Sequence, residues 1–326
     1  LKELITRLFI LLTKGLKMAI GQREKKIINA SWIAIVGNLL LSALKIVVGI
    51  IAGSYAVVAD GIDSASDVLT SLITLFTAHI ISRPPDLKYP YGYYKADTLA
   101  TKLLAFIIFF AGAQLAISTS EKLLNPIETE IPNSIAIYVI MLSIVGKYAL
   151  AFFLRKTGKS IDSQMLIANA RNMQNDVVIS LSVLTGLIFT FMLELPIFDL
   201  ITAFLVSLYI MFIAFRIFMQ TNRDLMDGID DPDIYQKIIE AVKRIEGVSN
   251  PHKIRVRKMA HQFIIAVDIE VDGNISLHDA HELSVQVENE IKNTLPNVYD
   301  VIVHAEPIGN DEPDEVYGVS EDKLTV

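Results

Sequence analysis

Two pairs of polar residues with the same spacing lie inside strongly apolar stretches of the sequence. Asp63 and Asp67 form the first pair, and Asn172 and Asp176 form the second. Residues four apart face one side of an α-helix, so each pair points in one direction. An ionised carboxylate at membrane depth is costly unless something compensates its charge. Oxygen donors on two apolar helices therefore predict a site for one hard cation, such as Mn²⁺ or Fe²⁺.

The composition is that of a membrane protein. Of 326 residues, 52% are apolar, and six stretches of about 20 residues or more qualify as spans, near 30–52, 54–82, 98–121, 131–154, 165–190 and 196–219. Lys and Arg recur before the first span and in the second and fourth connections, whereas the other connections are neutral or acidic. The positive-inside rule then predicts that both termini are cytoplasmic. Cysteine is absent, which excludes thiolate metal sites.

The character of the chain changes after residue 226. Residues 227–326 contain 21 acidic and 9 basic residues, whereas residues 1–226 contain 15 acidic and 20 basic residues. Hydrophobic patterning predicts the order helix, strand, strand, helix, strand over Pro232–Ile245, His252–Met259, Gln262–Val271, Leu277–Thr294 and Tyr299–Ala305. The predicted fold is an α-helical membrane protein with six transmembrane helices and a C-terminal cytoplasmic α+β domain of αββαβ order, ferredoxin-like or metallochaperone-like.

Four parts are predicted along the chain. Residues 1–25 form an amphipathic cytoplasmic segment that lies on the membrane surface. Residues 26–222 form the six-helix transmembrane domain, and residues 227–308 form the cytoplasmic domain. Residues 309–326 are acidic and lack an apolar pattern, so this tail is predicted to be disordered.

Other polar residues of the apolar stretches have less specific interpretations. Asp60 shares the face of Asp63 and is either an outer ligand or the mark of a helix distortion. Lys45 either extends its ammonium group toward the membrane surface or pairs within the bundle. Asp199 is predicted to cap the N-terminus of the sixth span, and His79 to pack at the interface. Asn172 alone could equally serve as a hydrogen-bonding link between helices.

The chain closely resembles the cation diffusion facilitators, which are dimeric, proton-coupled exporters of divalent metals. The resemblance extends from Lys26 to Pro307 and rests on the segments GSYAVVADGIDSASD, YGYYKAD, NMQND and VIVHAEP. It implies a transport site made by the second and fifth spans, at the four polar positions described above. It also implies that Lys95 and Asp227 form a charge pair that holds the membrane and soluble parts in register. Zinc exporters of the family usually have His in place of Asn172, so its absence favours the manganese or iron branch.

The resemblance further implies that the cytoplasmic domain binds metal. The matching positions are His252, Asp268, His281, His304 and Glu306, with Asp268 standing where the family often has His. The remaining histidines of this domain, His261 and His278, are interpreted as solvated surface residues. In the family, the loop after the second span often carries His ligands for an accessory metal. Asp86 is the one candidate donor in that loop here, so the accessory site is predicted to be absent or weak.

The function predicted from these features is antiport: Mn²⁺, or Fe²⁺, leaves the cytoplasm by alternating access in exchange for protons. Burial and mutual repulsion disfavour ionised carboxylates, so the same oxygens could hold protons when the metal leaves. A homodimer in the bacterial inner membrane is expected. The alternatives are a zinc, cobalt or broad-range exporter of the same family, a membrane-anchored metal sensor, and a channel, which would need a continuous polar stripe. No nucleotide-binding loop is present. No enzymatic activity, no catalytic cofactor and no nucleic-acid partner is expected.

Overall fold

The computed structural model describes residues 22–124, 130–229, 231–259, 262–309 and 317–324. It begins with six long helices, namely α1 (Gln22–Ala52), α2 (Tyr55–Ile81), α3 (Ala96–Leu124), α4 (Ile135–Ser160), α5 (Gln164–Leu193) and α6 (Ile197–Leu225). All six are long and apolar enough to cross a bilayer. The predicted spans are confirmed. Several helices continue beyond them, because charged residues can extend a helix outside the hydrocarbon layer.

The six-helix region places large apolar side chains outside and small or polar side chains inside. Leu40 and Ile51 point outward with exposed fractions of 66% and 75%, as expected for side chains that face lipid. Ala56 and Ser64 are fully buried. Inside, α5 and α6 approach so closely that a Cβ on Gly186 would lie 2.1 Å from Oγ1 of Thr202. Small residues allow such close helix packing where lipid provides no hydrophobic driving force between helices.

The described residues divide into two compact units. One contains the described residues up to Phe76 together with Leu103–Ile217. The other contains Thr77–Lys102 and the described residues from Phe218 onward. The end of α2, the start of α3 and the end of α6 therefore group with the soluble domain.

The soluble domain has the predicted αββαβ order: α7 (Asp233–Val242), β1 (Ser249–Met259), β2 (Gln262–Val271), α8 (Leu277–Thr294) and β3 (Val298–Pro307). β1 and β2 pair antiparallel, β2 and β3 pair parallel, and β2 is central. A parallel pair needs a crossover, which α8 supplies. Ser276 begins α8 by accepting a 3.1 Å hydrogen bond from the backbone N–H of Asp279. Ile238, Ile265 and Val287 are buried where the helices pack on the sheet.

Residues 317–324 lie against the soluble domain, which differs from the disorder predicted for the acidic tail. Val319 exchanges two 2.9 Å backbone hydrogen bonds with Ile254, and α9 (Glu321–Leu324) follows. Gly318 has a φ of +84°, and a Cβ there would lie 2.7 Å from the backbone of Lys253. Because β1 is an edge strand, its unpaired backbone groups offer partners to a segment that has little apolar surface.

Two predicted segments fall partly outside the described residues. The N-terminal amphipathic segment is undescribed through residue 21, and the tail is undescribed over 310–316 and 325–326. For those residues the predicted properties remain predictions.

Candidate metal centres

The four predicted membrane donors lie on α2 and α5, with Asp63 and Asp67 on the first and Asn172 and Asp176 on the second. Nδ2 of Asn172 donates to Oδ1 of Asp67 at 3.4 Å. Asp63 and Asp67 are partly buried, and Asp176 is buried. Donors from both helices thus face one another, and the membrane cluster is named for these four residues.

A cavity of about 260 Å³ reaches the membrane cluster at Asp67 and Asn172. Its wall comes from α1, α2 and α5 and includes the polar side chains of Asn38, Thr70, Ser71 and Asn169. The exposure of the donor residues falls from the cavity toward the interior of the bundle. Asn172 is exposed, Asp67 is partly buried, and the Asp176 side chain is 9% exposed. The polar wall offers water and a hydrated cation hydrogen-bond partners as far as Asp67.

Lys147 of α4 also joins the membrane cluster, although the sequence pattern did not single it out. Its Nζ lies 2.9 Å from Oδ2 of Asp176, and its side chain is fully buried. The sequence does contain a signal for this role, because Lys147 is the one charged residue between Ile135 and Leu154. A charge in the middle of an apolar span indicates a buried partner, by the same reasoning that identified the aspartates.

A second buried ion pair joins α1 to α2. Nζ of Lys45 lies 2.7 Å from Oδ2 of Asp60, and both side chains are fully buried. Lys45 also donates to the hydroxyls of Ser64 and Ser180 at 3.1 Å, and Ser180 donates to Asp60 at 2.9 Å. Of the two interpretations of Lys45, the structure supports pairing within the bundle. Asp60 is occupied by this network, which makes it a poor outer ligand.

Asp199 caps a different helix from the one expected. Its carboxylate accepts hydrogen bonds from Oγ of Ser54 at 2.6 Å and from the backbone N–H of Tyr55 at 2.8 Å. Both donors stand at the start of α2, so Asp199 caps α2 from the first turn of α6. A carboxylate is favourable there because the N-terminus of a helix carries partial positive charge. The cap ties α6 to the helix that carries Asp63. His79, near the other end of α2, is exposed.

The soluble domain brings His252, Asp268 and Glu306 together, with one ligand atom from each within 4.8 Å of the others; we name these three the cytoplasmic cluster. Asp268 of β2 is the register partner of His252 on β1 and of His304 on β3. Nδ1 of His252 lies 2.8 Å from the carbonyl oxygen of Asn250. A carbonyl only accepts, so Nδ1 carries the proton and Nε2, 3.6 Å from Glu306, is left to bind a metal.

The other predicted cytoplasmic ligands differ in their relation to this cluster. Nδ1 of His304 lies 3.1 Å from Glu306 and 3.6 Å from Asp268, with the side chain 64% exposed, so His304 stands at the rim. His281 and His278 lie exposed on α8, and the cytoplasmic cluster as described does not include them. His261 lies outside the described residues.

A bulge in β1 shapes the cytoplasmic cluster. The β1–β2 register shifts on both sides of His252, and Lys253 has a φ of +49°. A bulge re-aims side chains that strict alternation would send to opposite faces. Lys253 thereby places Nζ 3.5 Å from Asp268 and 3.7 Å from Glu306, with its side chain 6% exposed. Alternating sequence patterns do not reveal a bulge, so Lys253 was not predicted.

The predicted charge pair between Lys95 and Asp227 is present. Nζ of Lys95 lies 2.5 Å from Oδ1 of Asp227, whose other oxygen lies 2.9 Å from Nε of Arg257. Lys95 also donates to the carbonyls of Asp224 and Leu225 at 3.3 Å. These contacts join the segment before α3 to the end of α6 and to β1.

Asp86 is engaged by its own loop. Its carboxylate accepts hydrogen bonds from the Tyr93 hydroxyl at 2.6 Å and from the backbone N–H groups of Lys88 and Tyr89 at 2.8 Å. The hydrogen bond from Tyr93, followed by those from the backbone, lowers the pKa of Asp86 below its ordinary value. The prediction that an accessory metal site here is absent or weak stays a prediction.

Comparison with known proteins identifies both parts of the chain. The cation efflux transmembrane domain matches residues 31–226, and the cation efflux protein cytoplasmic domain matches residues 231–308. The chain is 29% identical to the manganese efflux system protein MneS of Bacillus subtilis, over 87% of this chain and 97% of that protein. It is 32% identical to an uncharacterised transporter of Methanocaldococcus jannaschii, over 84% of this chain and 96% of that protein.

Among solved structures, the chain is similar to the metal-bound C-terminal domain of the CzcD transporter from Thermotoga maritima, with 41% sequence identity. The match covers 24% of this chain and 93% of that domain, with a TM-score of 0.24. The two family matches coincide with the six-helix region and with the αββαβ domain. The protein is thus a multi-pass membrane protein. The resemblance seen in the sequence is confirmed: the chain belongs to the cation efflux family, the cation diffusion facilitators, and is a metal efflux transporter.

Proposed function

We propose that this protein exports Mn²⁺ from the cytoplasm in exchange for protons and binds the ion at the membrane cluster. The observation that carries the proposal is the meeting of oxygen donors from α2 and α5 at the end of a polar cavity. Asp63, Asp67, Asn172 and Asp176 offer neither thiolate nor imidazole, and such an all-oxygen set suits Mn²⁺ better than Zn²⁺. Fe²⁺ is the second ion that fits. MneS, whose name records manganese efflux, is similar over most of the chain.

The position of the cavity supports entry of the ion from the cytoplasm. On α2 the polar residues of its wall follow Asp67, and on α5 they precede Asn172. The cavity therefore extends from the membrane cluster toward the end of α2 and the start of α5. These helix ends adjoin the connection of residues 82–95 and the last turns of α4, both of which carry Lys and Arg. The positive-inside rule assigns such connections, and with them both termini, to the cytoplasm. In this proposal the described conformation accepts the ion, and alternating access releases it on the other side.

Charge balance supports exchange with protons. The centre of the bundle contains four carboxylates and two ammonium groups, which belong to Asp60, Asp63, Asp67, Asp176, Lys45 and Lys147. When every group is charged, the net charge of this centre is −2. One divalent cation neutralises that charge. Unbalanced buried charge is unfavourable, so the centre needs other cations when the metal leaves, and protons can supply them.

We also propose that the protein works as a homodimer in the bacterial inner (plasma) membrane and that the cytoplasmic cluster regulates it. Imidazole and carboxylate donors outside the membrane are suited to holding a divalent metal ion away from the transport path. Metal bound there can shift the populations of transporter conformations if it binds one of them more tightly.

The test is transport by the full-length protein in liposomes under an imposed pH gradient, with Mn²⁺, Fe²⁺, Zn²⁺ and Co²⁺ compared. Mn²⁺ should move against protons, and Asp67→Asn should remove this transport. Asp300→Asn removes an exposed carboxylate of the soluble domain and is the matched control, with transport expected unchanged. Preference for Zn²⁺ or Co²⁺ would contradict the manganese assignment. Metal binding without any transport would favour the membrane-anchored sensor.

A further inference from the structure

Among the salt bridges of the described residues, one membrane-cluster carboxylate is paired with a lysine. Lys147 reaches from α4, a helix that supplies none of the four oxygen donors. Its Nζ donates to Oδ2 of Asp176 at 2.9 Å, which is a direct charge-assisted hydrogen bond. The two side chains are 0% and 9% exposed, so little water screens the pair.

A metal ion bound to Asp176 would meet this ammonium group. Both are cations, and both prefer the same carboxylate oxygens, so a divalent ion near Oδ2 repels the Lys147 Nζ group. The four-carbon side chain of lysine is flexible and its ammonium is a compact point charge, so Lys147 can withdraw while its backbone stays in place. In the described structure, a cation attached to the protein therefore takes a position at Asp176 that is suited to the metal.

We propose that Lys147 is a tethered cation that competes with the transported ion for Asp176; this rests on the proposed function of the membrane cluster. The competition weakens metal binding and assists release, because the ammonium returns to Asp176 as the metal departs. A transport site must bind its ion well enough to load and weakly enough to unload. Lys147 adjusts that balance without contributing a ligand.

Lys45 provides a matched comparison inside the same bundle. Its ammonium is equally buried, but it is held by Asp60 together with the hydroxyls of Ser64 and Ser180. Removing either lysine deletes one buried positive charge. Only removal of Lys147 frees a carboxylate of the membrane cluster.

The experiment measures equilibrium binding of Mn²⁺ to the full-length protein in detergent, with the cytoplasmic cluster removed by His252→Ala and Glu306→Gln. In this background, Lys147→Met should lower the Kd for Mn²⁺ by about tenfold or more, since a nearby like charge is lost from a weakly screened site. Lys147→Arg retains the charge and should stay near the parent value. Lys45→Met should change the Kd by less than about threefold. Liposome transport by Lys147→Met should show a lower KM together with a lower kcat.

Each outcome decides the proposal. An unchanged or higher Kd in folded Lys147→Met overturns it, and so does equal tightening by Lys45→Met, which would indicate a general field effect. Should Lys147→Met fail to fold by size-exclusion chromatography, Lys147→Gln keeps a hydrogen-bond donor for Asp176 and takes its place with the same expectation. Asp67→Asn in the same background separates the two hypotheses. If Mn²⁺ binding does not depend on Asp67, the proposed function fails, and not merely the role of Lys147.

Discussion

Two groups of carboxylates in this protein each include a buried lysine, one inside the helix bundle and one on the sheet of the soluble domain. In the membrane cluster, Lys147 makes a 2.9 Å contact with Asp176. In the cytoplasmic cluster, Lys253 stands 3.5 Å from Asp268 and 3.7 Å from Glu306, too far for good hydrogen bonds. A metal at Oδ2 of Asp176 would compete with the Lys147 ammonium for that oxygen. The contacts of Lys253 with the cytoplasmic carboxylates are longer, and Glu306 also lies 3.1 Å from Nδ1 of His304.

The two clusters also differ in how fully they are assembled. Among the described residues, the cytoplasmic cluster is the one set of three His, Asp or Glu ligand atoms within 4.8 Å of one another. Its members stand on three strands of one hydrogen-bonded sheet, with a bulge in β1 at His252. The membrane donors stand on separate helices, which can shift past one another by small steps. A site on paired strands suits stable binding, whereas a site divided between helices can form and open during transport.

The largest expected effect comes from the membrane carboxylates. Asp63→Asn or Asp176→Asn should reduce Mn²⁺ transport in liposomes by about a hundredfold or more, because each removes a charged ligand from a buried site. Metal binding to the cytoplasmic cluster of the same variants should persist. Transport at the parent rate by either variant would remove that residue from the membrane site.

Ion choice gives the next largest effect. Asn172→His adds a nitrogen donor beside Asp67, and Zn²⁺ favours nitrogen ligands more than Mn²⁺ does. The ratio of Zn²⁺ to Mn²⁺ transport in one liposome assay should rise by about tenfold. Asn172→Gln, which keeps an amide oxygen, is the control. An unchanged ratio in the histidine variant would mean that Asn172 serves only as a link between helices.

A smaller effect is expected from the cytoplasmic cluster. His252→Ala combined with His304→Ala should shift the Mn²⁺ concentration for half-maximal transport by a few fold and leave transport present. Mn²⁺ binding at this cluster, measured in full-length Asp63→Asn/Asp67→Asn protein, should weaken when the two histidine substitutions are added, because imidazole nitrogen donors are lost. Complete loss of transport in the double histidine variant would place these residues on the transport path and erase the contrast between the clusters.

The smallest effect should come from the cap that positions α2. Asp199→Ala leaves the hydroxyl of Ser54 and the N–H of Tyr55 without their partner and should lower stability by about 1 kcal/mol. Thermal unfolding of purified Asp199→Ala protein should show a lower Tm than that of Glu194→Gln, the control. Glu194 is exposed in the connection between α5 and α6. Equal Tm values would mean that the cap does not stabilise α2.

The sequence by itself determined the features that depend on neighbouring residues. The length of an apolar stretch decides whether a helix can span the membrane, and period-two alternation decides a strand, so six helices and the αββαβ order were predictable. The spacing of Asp63 and Asp67 places both on one face of α2 for the same reason. The Lys and Arg bias of the connections likewise needs no knowledge of packing.

Only the tertiary structure decided which distant residues meet. Lys147 pairs with Asp176 because α4 and α5 pack with particular rotations about their axes, and Asp199 caps α2 from another helix. The β1 bulge aims Lys253 at Asp268 and Glu306, and the edge of β1 accepts the tail segment 317–324. Periodicity reports contacts within a helix or strand. Partners between elements depend on axial rotation, register and close approach, which no local pattern encodes.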